Sequence, residues 1–257
     1  MKGNHKGTLY SGTSNVTLPG NKLSFPEEYR QKSRLTYYAS LFNSLEINSS
    51  FYKIPLQRTC ARWASEVPDN FKFTIKLFKG ITHNKGLQYN QEDLVKFMEA
   101  AEGLEGKKGQ ILVQFPKSIT GDRFDEVQQI IDGIRICDPA GSWGIAVELR
   151  HESWFGKGFY GKAISEYLDQ EGATLVIHDM PGCTLTQPNK KAQTIFLRFH
   201  GEAGKYRGSY PTDALNSKAN QIQEWLKKGR DVYAYFNNTI GDAYNNARTL
   251  HSLVDSK

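Results

Sequence analysis

Glu46, Glu148 and Arg198 stand inside apolar runs: Glu46 between Leu45 and Ile47, Glu148 between Val147 and Leu149, Arg198 between Leu197 and Phe199. A charge carried into an apolar interior costs several kcal/mol unless it is paired. These three must therefore meet each other, meet Lys76, or serve a ligand. Other apolar runs end in groups of the same character: Asn48, Lys76, Gln114, Arg150 with His151, His178 with Asp179, His200, and Asn237 with Asn238. The planar fork of arginine matches a carboxylate or phosphate bidentately. Arg150, Arg198, Lys76 and the amides of Asn237 and Asn238 thus point to a small anionic or polyhydroxylated molecule. Glu46, Lys76, Glu148, Asp179 and His200 are the candidates for catalysis, chiefly proton transfer. Tyr52, His83, Gln114, Arg150, His151, Arg198, Tyr210, Asn237 and Asn238 are the candidates for ligand binding. His178 is expected to turn away from the pocket if Asp179 points in, because neighbouring strand residues alternate.

Two other readings use the same residues. Glu46, Glu148, His151, Asp179 and His200 are of the types that ligate a divalent metal. No HxH or HExxH spacing accompanies them, and Lys76 and two arginines compete for the same carboxylates. A resident metal is therefore the less favoured alternative, and no other cofactor is expected. The formal net charge of +6, with the aromatics Phe51, Tyr52, Trp154, Tyr206, Tyr210 and Phe236, also permits a protein that binds a ligand or nucleic acid without catalysis. The lysines are scattered, however, and read first as solvated surface. The loop 201–211, with Gly204 and Gly208, has the composition of a lid.

These residues need elements to gather them. Short runs rich in Val, Ile and aromatics recur at 8–13, 42–48, 72–77, 110–115, 144–150, 174–179, 194–200 and 231–238. Such runs suit strands covered on both faces. Between them lie amphipathic stretches at 27–41, 56–66, 90–102, 123–136, 159–170, 212–228 and 242–254. Strands alternating with helices about eight times predict a parallel sheet closed into a (β/α)8 barrel, one domain over residues 1–257. A doubly wound sheet is the alternative, but no GxGxxG or GxxxxGK[ST] follows the first strand. In the barrel, active sites lie at the C-terminal strand ends, where the polar residues fall.

The composition fits this class. Of 257 residues, 39% are hydrophobic and 23% charged, which suits a folded domain rather than a disordered chain. Cys60, Cys137 and Cys183 form no CxxC and are odd in number, so a reducing compartment is expected, with all three as buried hydrophobes. The polar start at residues 1–6 leads into no apolar signal segment, and no run reaches the ~18 apolar residues of a membrane span. A cytoplasmic protein is the expectation.

The segment Phe42-Asn-Ser-Leu-Glu-Ile-Asn-Ser-Ser-Phe-Tyr-Lys-Ile-Pro resembles the DUF72, or YecE-like, family. The likeness continues through Trp63-Ala, Pro68-Asp-Asn-Phe-Lys-Phe-Thr-Ile-Lys, Ile81-Thr-His and Ile111-Leu-Val-Gln-Phe-Pro. It runs on through Val147-Glu-Leu-Arg-His-Glu-Ser-Trp and Leu197-Arg-Phe-His-Gly to Tyr235-Phe-Asn-Asn. These segments keep the family's order over nearly all of the chain after about residue 40. The resemblance implies a TIM barrel and names no activity; hydrolase or isomerase chemistry follows only by analogy of fold. The N-terminal segment departs from the family. After Gly12-Thr-Ser its members tend to continue with Gly-Trp, whereas this chain reads Asn15-Val-Thr-Leu-Pro-Gly.

Overall fold

Each apolar run forms one strand. The computed structural model describes residues 6–155, 158–183, 185–201 and 204–256. The strands are β1 (Leu9–Thr13), β2 (Ser44–Ile47), β3 (Lys72–Lys76), β4 (Lys108–Gln114), β5 (Gly144–Glu148), β6 (Thr174–His178), β7 (Thr194–Phe199) and β8 (Asp231–Phe236). All pairings are parallel, in the order β1-β8-β7-β6-β5-β4-β3-β2. A single bridge, Ser14 to Glu46, joins the two ends of this order. The result is a TIM barrel, as the alternation of elements predicts.

The seam between β1 and β2 is closed largely by side chains. The Asn43 amide donates to Leu9 O at 2.6 Å and its oxygen accepts from Ser11 N at 3.0 Å. The Tyr38 hydroxyl accepts from Thr13 N at 2.7 Å and donates to Ser44 O at 3.1 Å. Each side chain thus satisfies backbone groups that a ladder would otherwise pair. Gly12 makes room for this: a Cβ there would lie 2.2 Å from Ser44 O and 2.3 Å from the Tyr38 hydroxyl.

The helices among the described residues are α1 (Arg34–Ala39), α2 (Ser49–Tyr52), α3 (Gln57–Ser65), α4 (Lys79–Thr82), α5 (Gln91–Glu102), α6 (Phe124–Cys137), α7 (Phe159–Gln170), α8 (Thr212–Lys227) and α9 (Ala243–Asp255). The periodic stretches form α3 and α5 to α9, and Asn90 caps α5 by accepting from Glu92 N. The first stretch forms a shorter helix than its spacing predicts, because Pro26 and a 3-10 turn at Glu27–Tyr29 hold the chain until Ser33 caps α1. A gap in the helices agrees with the sequence, which has no amphipathic stretch between the runs 174–179 and 194–200. No helix lies between β6 and β7 among the described residues, so the outer ring is incomplete there.

The barrel interior is layered by the two-residue period of its strands. Tyr10, Leu112, Ala146, Val176, Phe196, Tyr233 and Tyr235 pack as a cluster apart from the larger core between strands and helices. Two residues further on, the same faces carry Gln114 after Leu112, Glu148 after Ala146, His178 after Val176 and Arg198 after Phe196. His178 therefore lies on the inner face, which overturns the expectation that it turns away. Its ring sits 5.9 Å from that of His200. No described helix is long and apolar enough to cross a membrane.

Candidate functional site

Arg198 lies at the centre of the mouth. Its Nε and Nη2 donate to the two carboxylate oxygens of Glu46 at 2.8 and 2.7 Å, a bidentate pair. Its Nη1 donates to Glu148 Oε2 at 2.5 Å. Arg150 Nε donates to the other oxygen of Glu148 at 2.7 Å. Ser14 Oγ donates to Glu46 Oε1 at 2.6 Å. The side chains of Glu46, Glu148 and Arg198 have no exposed surface. Three charges embedded in apolar runs thus form one buried network. Burial alone would raise the Glu148 carboxyl, but Arg198 and then Arg150 outweigh it and hold the group well below the usual carboxylate range.

Lys76 ends β3 beside this network. Its Nζ lies 4.0 Å from the centre of the Phe51 ring. Among the described residues its ammonium group makes no hydrogen bond or ion pair, although the residue is only 9% exposed. Burial, followed by repulsion from Arg198, lowers its pKa to about 8. Phe51 comes from α2, the single turn after β2, and His83 caps α4, the single turn after β3. The two rings meet edge to face at 4.8 Å. Burial and the nearby Lys76 charge lower His83 to about 4, so its ring is neutral at physiological pH. Its Nδ1 lies 2.8 Å from Thr82 Oγ1, and its Nε2 faces the Gln114 amide at 3.5 Å.

His200 joins the network to the loop above it. Its Nε2 accepts from Arg198 Nη1 at 3.2 Å, so its Nδ1–H donates to Asp179 Oδ1, also at 3.2 Å. The same Asp179 oxygen accepts from His200 N at 2.7 Å, and the Tyr210 hydroxyl donates to the other oxygen. Burial opposes ionisation of Asp179, but the bonds from His200 and Tyr210 keep its pKa below the ordinary value. The described part of the loop 201–211 lies over the mouth. Tyr206 N donates to His200 O at 2.7 Å, and its hydroxyl lies 3.5 Å from Arg150 Nη1. Tyr206 holds a left-handed φ of 61°, flanked by Gly204 and Gly208, which adopt positive φ at less cost.

The structure thus brings together Glu46, Lys76, His83, Gln114, Glu148, Arg150, Asp179, Arg198, His200 and Tyr210. It sets others apart. Tyr52 is 68% exposed, with its ring beside Lys79 rather than over the mouth. The His151 Nδ1 accepts from Ser153 N and caps a 3-10 turn. Asn238 is buried against α9, donating to Gly208 O and Asn246 Oδ1. Asn237, by contrast, shares the inward face of Tyr235 at the strand end, and its backbone N donates to Phe199 O at 2.7 Å. Of the five residues read as metal ligands, Glu46, Glu148, Asp179 and His200 lie at the mouth, but both glutamates are engaged by arginine, and His151 is held apart by Ser153. Among the described residues no three His, Cys, Asp or Glu side chains are grouped to hold a metal ion.

Sequence reasoning missed three participants. Ser14 and Tyr38 lie in segments with no charge to mark them, and Tyr206 stood out only as an aromatic. Cys183 also departs from expectation. Cys60 is buried and raised by that burial to about 11, whereas Cys183 is half-buried and hydrogen-bonded to the His178 side chain. That bond outweighs burial and lowers the thiol pKa. A turn at Met180–Cys183, with Gly182 at φ 93°, folds the chain back and brings the pair together.

Comparison with known proteins gives a consistent picture. A family model described as a protein of unknown function, DUF72, matches residues 10–257. The UPF0759 protein YunF of Bacillus subtilis is 26% identical over 260 residues, covering 90% of each chain. A DUF72 family protein from Enterococcus faecalis has a similar structure, with a TM-score of 0.77 at 24% identity over 98% of this chain and 99% of that one. Another, from Thermotoga maritima, gives 0.75 at 23% identity over 96% and 99%. At these identities the two structures speak to the fold alone.

Proposed function

Since the chain belongs to the DUF72 family, whose description carries no activity, we propose a function from the site itself: an enzyme acting on a small anionic substrate held by Lys76 and Arg150. One observation carries this reading. Lys76 is a nearly buried cation with no acceptor among the described residues, while every oxygen of Glu46 and Glu148 already accepts from arginine. Around Lys76 two further cations, Arg150 and Arg198, face the two carboxylates of Glu46 and Glu148, while the third carboxylate of the site, Asp179, accepts from His200 and Tyr210 instead; the set around Lys76 thus carries one positive charge in excess. A buried charge without a partner is costly, so a carboxylate or phosphate placed there recovers much of that cost.

The roles divide accordingly. Glu46, Arg198 and Glu148 form a frame that fixes Arg150. With one Nη near Tyr206 and Nε on Glu148, Arg150 has its other Nη unpartnered among the described residues, available to a ligand. Gln114, His83 and His200 are neutral and offer hydrogen bonds. Lys76, whose pKa of about 8 lies near physiological pH, is the group best suited to move a proton. The Tyr206 loop supplies the cover that keeps water away.

Thermal unfolding at constant ionic strength tests this. An anion at 100 times its Kd adds about 2.7 kcal/mol of stability, several degrees in Tm for a chain of this length. Phosphate or a small dicarboxylate is expected to raise the Tm of the wild type over chloride, and not that of Lys76→Met. An equal response in both proteins would overturn the assignment.

A further inference from the structure

Resting on that reading, we propose that the Lys76 amine bonds covalently to the carbonyl carbon of an aldehyde or ketone carrying a carboxylate, a 2-oxo acid in chemical class. Four features of the mouth support this. The Lys76 Nζ makes no hydrogen bond, as donor or acceptor, among the described residues, so its lone pair, once free, is not tied to a neighbour. The other two cations of the layer are guanidiniums, which stay protonated and do not act as nucleophiles. Phe51 presents its ring face 4.0 Å from Nζ, an apolar wall that excludes water and favours a delocalised cation at that position. Arg150, held by Glu148 through Nε, has one Nη without a partner among the described residues, which offers a donor for the acid group of such a substrate.

Holding an anion alone would be served best by a lysine that clings to its proton. Here burial and the Arg198 charge bring the pKa to about 8, which yields far more free amine at neutral pH than a surface lysine has. The chemistry balances without a co-reactant. The free amine attacks the carbonyl carbon; the C–N bond forms, and the carbonyl π pair moves to oxygen. That oxygen takes a proton from the attacking nitrogen, giving a carbinolamine. A second proton, the one Lys76 released to solvent on becoming a free amine, lets the hydroxyl leave as water. Overall, one ammonium and one carbonyl give one protonated imine and one water, with nothing oxidised or reduced.

Reductive trapping of the whole protein provides the test. Wild type is incubated with glyoxylate and cyanoborohydride at neutral pH, and peptides are mapped by mass spectrometry. Lys76 is expected to gain one carboxymethyl group at least about tenfold faster than any surface lysine, in proportion to its free amine. Saturating phosphate should slow Lys76 and leave the surface lysines unaffected. Lys76→Arg, which keeps the charge, should lose the selective adduct. Adducts spread evenly over the lysines, or selective labelling at another position, would overturn the inference. If anions stabilise the wild type but Lys76 is not selectively trapped, this inference alone fails. If neither occurs, the anion-binding reading fails with it.

Discussion

At the level of Ser44, Thr74 and Tyr235 the barrel interior holds three hydroxyls and no charge. Two residues further along β2 and β3 it holds Glu46 and Lys76, with Glu148, Arg150 and Arg198 beside them. Both levels are buried and both are polar. In the lower one the Tyr235 hydroxyl meets Ser44 Oγ at 2.5 Å and Thr74 Oγ1 at 2.8 Å, and Ser44 Oγ also reaches Lys72 O at 2.6 Å. Each group there has its partner, so the layer is complete as it stands. In the upper one the carboxylates are complete but Lys76 is not. Polarity in a barrel core therefore has two meanings. A satisfied layer specifies the packing, whereas a layer with one unmatched charge is prepared for something that is not protein.

Three substitutions break or sharpen this contrast, in decreasing order of effect. Arg198→Met removes the partner of two buried carboxylates and is expected to cost about 3–5 kcal/mol in urea unfolding. Both partners are fully buried, so a loss under about 1 kcal/mol would show the upper layer to be solvated. Lys76→Met should have the opposite sign, stabilising the protein at pH 7 by on the order of 1–3 kcal/mol. Its folded pKa, about 8, lies below the ordinary 10.5, so the unfolded chain binds more protons between those values. The cost of Lys76 is thus full below pH 8 and fades as pH rises toward 10.5, and the gap between variant and wild type should close over that window. A gap that does not vary with pH would mean that Lys76 is not held uncompensated. Tyr235→Phe, in the satisfied layer, should cost about 1 kcal/mol at every pH and leave the response to phosphate unchanged. A lost phosphate response in that variant would erase the distinction between the layers.

Much of this was legible in the sequence, for identifiable reasons. The eight strands declare themselves because each is buried on both faces and reads as an apolar run. Glu46, Glu148 and Arg198 declare themselves because a charge inside such a run is anomalous. What was hidden depends on contacts between distant positions. Nothing local marks Tyr38 as the residue that bridges β1 and β2, or Ser14 as a donor to Glu46. His151 and Asn238 have the same residue types as true site members, yet one caps a turn and the other braces α9. Type and strand-end position could not separate these roles. The inward face of His178 was legible in principle, since Val176 two residues earlier packs in the barrel interior, but the following Asp179 drew the reading outward. The missing helix after β6 was legible too, since no amphipathic stretch separates the runs 174–179 and 194–200, only the Pro181-Gly182 turn and a polar stretch.

The junction of β1 and β2 gives the molecule an asymmetry that its eightfold plan conceals. Seven joints of the ring are laced by main-chain bonds, which mutation cannot delete because every residue supplies them. The eighth is fastened mainly by Asn43, Tyr38, Ser14 and the carboxylate of Glu46, all of which mutation can delete. The ring therefore has a genetically editable clasp, and one of its pins is also the anchor of the arginine at the centre of the site. A change at this joint is felt at once as a change in closure and as a change in the electrostatics of the mouth.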